Sequence, residues 1–134
     1  MARRVILDVD TGSDDAVAIM AAALSPDVDL VAICTVWGNQ PVQNTTDNTL
    51  RLIDAMGIDV PVYKGCDTAM VKYLTKDYVE NKRRPPVMHN GKAYIMHSEH
   101  LDLPEATSKP QDVPVKAVLN GCNQWLAIII STGT

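Results

Sequence analysis

The chain has 134 residues, enough for one domain with a real core but short for an α/β enzyme. Hydrophobic residues make up 46% and charged residues 21%, an ordinary globular composition. The net charge of −4 comes from 16 acidic against 12 basic residues. Four of those acids fall within residues 8–15, so the rest is balanced and carries no basic stripe for nucleic acid or an anionic membrane.

"RRVILDV" reads as a buried strand over residues 3–9. "SDDAVAIMAAALS" then reads as a helix capped by Ser13 or Asp14 and stopped by Pro26. Its apolar residues run almost all round, with Val17, Met20, Ala21 and Leu24 on one side and Ala18 and Ala22 on another, which predicts cover on more than one face. "VDLVAICTV" is a second strand, ended by Trp37-Gly38-Asn39. "VQNTTDNTLRLIDAMG" is a second helix, with Leu50, Ile53 and Met56 facing inward and Gly57 as its stop. "VPVYKG" is a short third strand. Strands and helices alternating at this spacing predict βαβ units, an open parallel sheet and right-handed crossovers.

From about residue 66 to 114 the pattern dissolves. Five of the eight prolines, all three histidines and the cluster "NKRRPP" lie there, so a long irregular loop, mobile in part, is expected within a single domain of 1–134. A helix around "AMVKYLTKDYVEN" fits part of it. His97 and His100 in "HSEH" and the basic cluster read as solvated side chains. Order resumes with a short helix near Pro114 and with "WLAIIIST", a fourth buried strand. As the last element of the chain this apolar strand has no later segment to cover it, so self-association or pairing with a missing C-terminal half is expected.

The three cysteines, Cys34, Cys66 and Cys122, form no C-x-x-C pair and read as reduced thiols of a cytoplasmic protein. The start lacks the apolar run of a secretory signal, and no run approaches the ~20 residues of a membrane span.

The chemistry concentrates in "DVDTGSDDAVAI". Residues two apart share a strand face, so Asp8 and Asp10 project together from the strand's carboxyl end. Asp14 and Asp15 open the helix, where the macrodipole favours negative charge by roughly 0.3–1 kcal/mol. Two carboxylates about 4 Å apart repel by about 4 kcal/mol at an effective dielectric of about 20. Capping explains Ser13, Asp14 and Asp15 but leaves Asp8 and Asp10 unexplained on an apolar strand. A divalent cation explains all four, and oxygen-only ligands point to a hard ion, Ca²⁺ or Mg²⁺. The other strand ends, at Trp37-Gly38-Asn39, Gly65 and Ser131-Thr132-Gly133, lie where ligands of open parallel sheets gather.

"DVDTGSDDAVAI" resembles the D-x-D-x-G-x-D-D signature of the inosine–uridine-preferring nucleoside hydrolases. "VWGNQ" is similar to the G-N after their second strand, "VPVYKG" to their third strand and "IISTGT" to their T-G segment. The resemblance covers residues 3 to about 65 and 126–134. It implies a nucleoside hydrolase-like α/β fold with about four strands, truncated after the fourth. It also implies Ca²⁺-dependent hydrolysis of the N-glycosidic bond of ribonucleosides to ribose and free base by metal-activated water, in nucleoside salvage. By position, Asp10 and Asp15 are implied calcium ligands, joined by the backbone carbonyl of Thr132. Asp10 is also the implied general base, Asp14 the grip on the ribose hydroxyls, Asn39 part of the ribose and water shell, and Asp8 a supporting acid. His89 in "VMHNGKAY" corresponds to a histidine near the base, with Asn90 interrupting the match. The family's later segments have no counterpart here, so the chain is expected to be incomplete for turnover alone. Two other readings stand beside it: a non-catalytic half-domain that binds calcium or a partner chain, and a haloacid-dehalogenase-like phosphatase with Asp8 as nucleophile and Asp10 as acid. The Asp14–Asp15 pair and "VWGNQ" have no role in that phosphatase.

Overall fold

A computed structural model describes residues 1–67, 87–94, 98–112 and 127–130. Strand β1 (Arg3–Val9) lies at the centre of a four-stranded parallel sheet. Helix α1 (Ser13–Leu24), β2 (Val28–Thr35), α2 (Val42–Met56) and β3 (Val62–Lys64) follow in the expected alternation. A hairpin of β4 (Val87–His89) and β5 (Lys92–Tyr94) comes next, and β6 (Ala127–Ile130) returns to pair with β1. The sheet order is β3-β2-β1-β6. From β1 the chain steps outward through β2 to β3, while β6 lies on the other side of β1. The direction of winding therefore reverses at β1, and in open α/β sheets the crevice outside such a strand end is where ligands bind.

Strand alternation sorts the residues into two layers. Val5, Leu7, Val9 and Ile33 face α1 and α2, where Ile19, Leu50, Leu52 and Ile53 complete the main core. Ile6, Ala32 and Cys34 form a smaller cluster on the opposite face, with Val31 and Tyr63 against it. The pairing of β1 with β2 shifts between Val5 and Ile6: Val5 opposes Leu30, but Ile6 opposes Ala32. Val31 is the extra residue of a β-bulge.

Helix α1 departs from expectation in two ways. Its N-cap is Gly12, with no side-chain cap bond, rather than Ser13 or Asp14. It also buries one face only. Asp15, Ala16 and Ile19 turn inward, whereas Val17 (60% exposed) and Leu24 (74%) face outward, because both helices lie on one side of the sheet and only α1's inner stripe meets it. Helix α2 is as read: Leu50 and Ile53 are buried, Met56 packs against the core, and Gly57 ends the helix in the left-handed conformation at φ 65°.

Within the stretch 66–114, the described residues include a β-hairpin at 87–94 and a segment without regular secondary structure at 98–112. Asn90 (φ 50°) and Gly91 (φ 76°) make the tight turn of the β4–β5 hairpin, both central residues having the positive φ such turns require. Residues 98–112 form a strap along α2. Asp47 contacts His100 Nδ1 at 3.1 Å, Arg51 donates to the Leu103 carbonyl at 3.0 Å, and Asp54 accepts from Thr107 and Ser108. Leu101, Leu103 and Ala106 pack against the core beneath. His100 keeps an exposed side chain, as expected, and adds this contact to Asp47. The expected helices near 69–81 and Pro114, "NKRRPP", His97 and Cys122 lie outside the described residues.

The Asp54 carboxylate is held down at about 2, first by the Ser108 hydroxyl, then by the Ser108 and Thr107 backbone amides. Its folded value lies below its ordinary 3.8, so its stabilising effect is complete above about pH 4 and disappears as the pH falls through about 2. In thermal unfolding the wild type should exceed Asp54→Asn at pH 5, and the difference should shrink as the pH falls through about 2. A pH-independent difference would contradict this.

Candidate active site

Asp8 is the penultimate residue of β1, opposite Cys34 of β2 and Ile130 of β6. Its Oδ1 is buried with no hydrogen-bond partner. Burial pushes its carboxyl above the ordinary range, since a carboxylate removed from water without a donor favours its neutral form. Burial, and then the charge of Asp8, push the Cys34 thiol up to about 11, which leaves it a protonated, inert thiol at neutral pH.

Asp10 follows the strand and is 8% exposed. The loop after β2 closes on it: Val36 N–H donates to the Val9 carbonyl at 3.0 Å, extending the ladder past the strand end, and Asn39 N–H donates to Asp10 Oδ2 at 2.8 Å. Close approach at Gly38 allows this. A Cβ there would lie 2.1 Å from Asp10 Oδ2 and 2.6 Å from its Cβ.

Asp15 is 2% exposed at the start of α1, and its Oδ2 accepts the Gly12 N–H at 3.4 Å. Asp14 is exposed beside it. The end of β1, the first turn of α1 and the loop at 38–39 thus bring Asp8, Asp10, Asp14, Asp15 and Asn39 into one corner of the fold, at the point where the winding reverses. His89 lies exposed on the β4–β5 hairpin, opposite Lys92 in register. Thr132 lies outside the described residues.

Among the described residues no group of three or more His, Cys, Asp or Glu converges closely enough to hold a metal ion. Of the calcium ligands expected from this chain, two are carboxylates, Asp10 and Asp15, and the third, the Thr132 carbonyl, lies outside the described residues. An all-oxygen corner with an unpartnered buried carboxylate oxygen behind it, at Asp8, fits a hard cation.

A set of neutral polar residues supports this corner and was not anticipated from the sequence. On α2, Thr45, Thr46, Asn48 and Thr49 are all buried. Thr45 donates to the Val36 carbonyl at 2.9 Å, Thr46 shares a 2.7 Å hydrogen bond with Thr35, and Thr49 shares one of 2.7 Å with Thr11. Asn48 Nδ2 donates to the Thr11 carbonyl at 3.1 Å. The signal was there: "NTTDNT" places poor helix formers in the first half of a helix, a run better suited to hydrogen bonding than to propensity.

Comparison with known proteins gives the family. The profile of the family described as inosine-uridine preferring nucleoside hydrolase matches residues 5–131. The non-specific ribonucleoside hydrolase RihC of Klebsiella pneumoniae is 36% identical over 110 residues, covering 70% of this chain and 36% of that protein. The inosine-uridine preferring nucleoside hydrolase of Crithidia fasciculata is 42% identical over 84 residues, covering 61% and 27%. The chain thus spans about a third of the length of these relatives. A purine-preferring ribonucleoside hydrolase from Gardnerella vaginalis superposes with a TM-score of 0.71 at 22% identity, over 96% of this chain and 40% of that one, a likeness of fold. With 127 of its 134 positions spanned by the profile, the chain belongs to the inosine-uridine preferring nucleoside hydrolase family.

Proposed function

We propose that this chain carries the cation- and ribose-binding corner of a calcium-dependent nucleoside N-ribohydrolase, which cleaves the N-glycosidic bond of ribonucleosides to ribose and free base. The observation that supports it most is Asp10, nearly buried where the winding reverses and held by the Asn39 N–H against Gly38, with buried Asp15 opening the next helix. Asp10, Asp15 and the Thr132 carbonyl would hold Ca²⁺, which when bound lowers the pKa of water. Asp10 takes the proton of the attacking water, a general-base role. Asp14, exposed at the helix start, accepts hydrogen bonds from the ribose hydroxyls, and Asn39 contributes to the same shell. Asp8 backs the site without touching substrate. His89 is the candidate contact for the leaving base. The sugar passes through an oxocarbenium-like transition state without a covalent intermediate.

Turnover is proposed to need more than these 134 residues, supplied covalently or by association with a further chain or copy. The cytoplasm and nucleoside salvage are the proposed setting; among the described residues no helix is long and apolar enough to cross a membrane. The phosphatase reading is disfavoured by the residues that follow Asp10. Such a phosphatase has no use for the Asp14–Asp15 pair that opens α1, whereas the hydrolase reading gives both a role.

Calorimetric titration with CaCl₂ tests the proposal. Heat of binding should appear with the wild type, and affinity should fall at least about tenfold in Asp10→Ala, since a charged ligand is removed. Equal heats for the two proteins would overturn the assignment.

A further inference from the structure

Asn48 is 0% exposed, in the middle of α2. Asparagine is a poor helix former, and burying a carboxamide is costly unless its polar atoms are bonded. Here they are. Nδ2 donates to the Thr11 carbonyl at 3.1 Å and to the Glu99 carbonyl at 3.4 Å, while Oδ1 accepts the Leu101 N–H at 2.9 Å. Thr11 is the residue after Asp10, in the turn that leads to Asp15. Glu99 and Leu101 belong to the strap. One side chain thus bridges the carboxylate turn and the strap through three bonds.

Only a carboxamide can do this. An aspartate at 48 would set a carboxylate against two carbonyls, and a leucine would leave two carbonyls and an N–H without partners. The neighbours divide the work. Thr49 bonds to Thr11, whereas Asp47, Arg51 and Asp54 bond to the strap.

We propose that Asn48 is a positioning residue that transmits the seating of the 98–112 strap to the Asp10–Asp15 turn, so that the strap sets the readiness of those carboxylates for a cation. The coupling rests on hydrogen bonds alone. Its extension to cation uptake rests on the proposed hydrolase reading.

Amide hydrogen exchange on the 134-residue chain tests the coupling. The reporters are Gly12, Ala16 and Asn39, whose N–H groups bond to Asp15, the Gly12 carbonyl and Asp10. Each rate is taken relative to Ile33, buried in the central sheet, which corrects for global unfolding. Asp54→Ala frees the strap from a point six residues, about 9 Å, along α2 from Asn48. It should speed reporter exchange about tenfold, the scale of one buried hydrogen bond lost. Asn48→Leu should do the same alone, and Asp54→Ala should add nothing to it. In a Thr49→Val background, which leaves the bridge intact, Asp54→Ala should keep its full effect. The coupling is overturned if Asp54→Ala speeds the Leu101 and Leu103 amides but not the reporters, or if its effect multiplies with that of Asn48→Leu. Should Asn48→Leu fail to fold, Asp54→Ala against the Thr49→Val control still decides. Ca²⁺ affinity should drop about tenfold in both Asp54→Ala and Asn48→Leu. Unchanged affinity alongside faster exchange would overturn the extension to cation uptake. Absence of Ca²⁺ binding in the wild type would overturn the hydrolase reading and leave the exchange result to judge the coupling.

Discussion

Gly38→Ala is expected to disable the carboxylate corner while leaving most of the fold in place. The added Cβ would lie 2.1 Å from Asp10 Oδ2, 2.5 Å from its Cγ and 2.6 Å from its Cβ. Rotating the carboxylate relieves the first of these contacts but not the last, because the Asp10 Cβ is fixed by the backbone. The loop after β2 must therefore retreat and break the 2.8 Å bond from Asn39 N–H to Asp10. Overpacking of this kind costs about 1–3 kcal/mol of stability. The effect on chemistry is larger, since a misplacement of about 1 Å at a reacting group can cost about a hundredfold in rate. Under the proposed reading, calcium affinity and, with the further segments proposed for turnover supplied, release of free base from inosine or uridine should both fall in Gly38→Ala. Gly57→Ala is the control. Nothing lies within 4 Å of its Cβ and only its φ of +65° is strained, so it should cost stability alone. Equal loss of calcium affinity in both variants would refute the steric account.

The second large effect is on stability. Ile33 is 0% exposed in β2, opposite Leu7 of β1 and Val62 of β3, so sheet neighbours on both sides and both helices hold its surroundings in place. Ile33→Ala should cost about 2–5 kcal/mol, because a site braced in this way cannot collapse onto the cavity. Against a total of about 5–15 kcal/mol this leaves the chain marginal. Val17→Ala on the outer face of α1, where the side chain is 60% exposed, should stay within about 0.5 kcal/mol. Urea unfolding should show a much lower midpoint for Ile33→Ala and an unchanged one for Val17→Ala. Similar midpoints for the two would mean that this layer is not the core.

Where one physical signal acted alone, the sequence was legible. The β-branched run 3–9 became β1 and Gly57 ended α2, because a continuous apolar run and a left-handed stop each have one cheap solution. Where two signals competed, the reading failed. "VMHNGKAY" holds Asn-Gly between two short β-prone runs, the ordinary mark of a hairpin, but it sits in a proline-rich stretch. The alanine-rich α1 gave no phase, so which face it would bury depended on both helices lying on one side of the sheet. The aspartates announced a site by local charge density. Their supports on α2 were signalled only by the poor helix formers of "NTTDNT", whose partners became legible once the fold buried them.

The extra residue in β2 bears on how the length of this chain can vary through evolution. Leu30 leans on the main core, Val31 and Ala32 both turn to the opposite cluster, and Ile33 returns to the main core. A lineage that lost Val31 would keep Leu30, Ala32, Ile33 and Cys34 on their present sides and restore an unbroken pairing with β1. Loss of Ile33 itself would instead carry Cys34 into the main core, reversing inside and outside up to the carboxylate corner. Position 31 is thus where an alignment of relatives should place its gap.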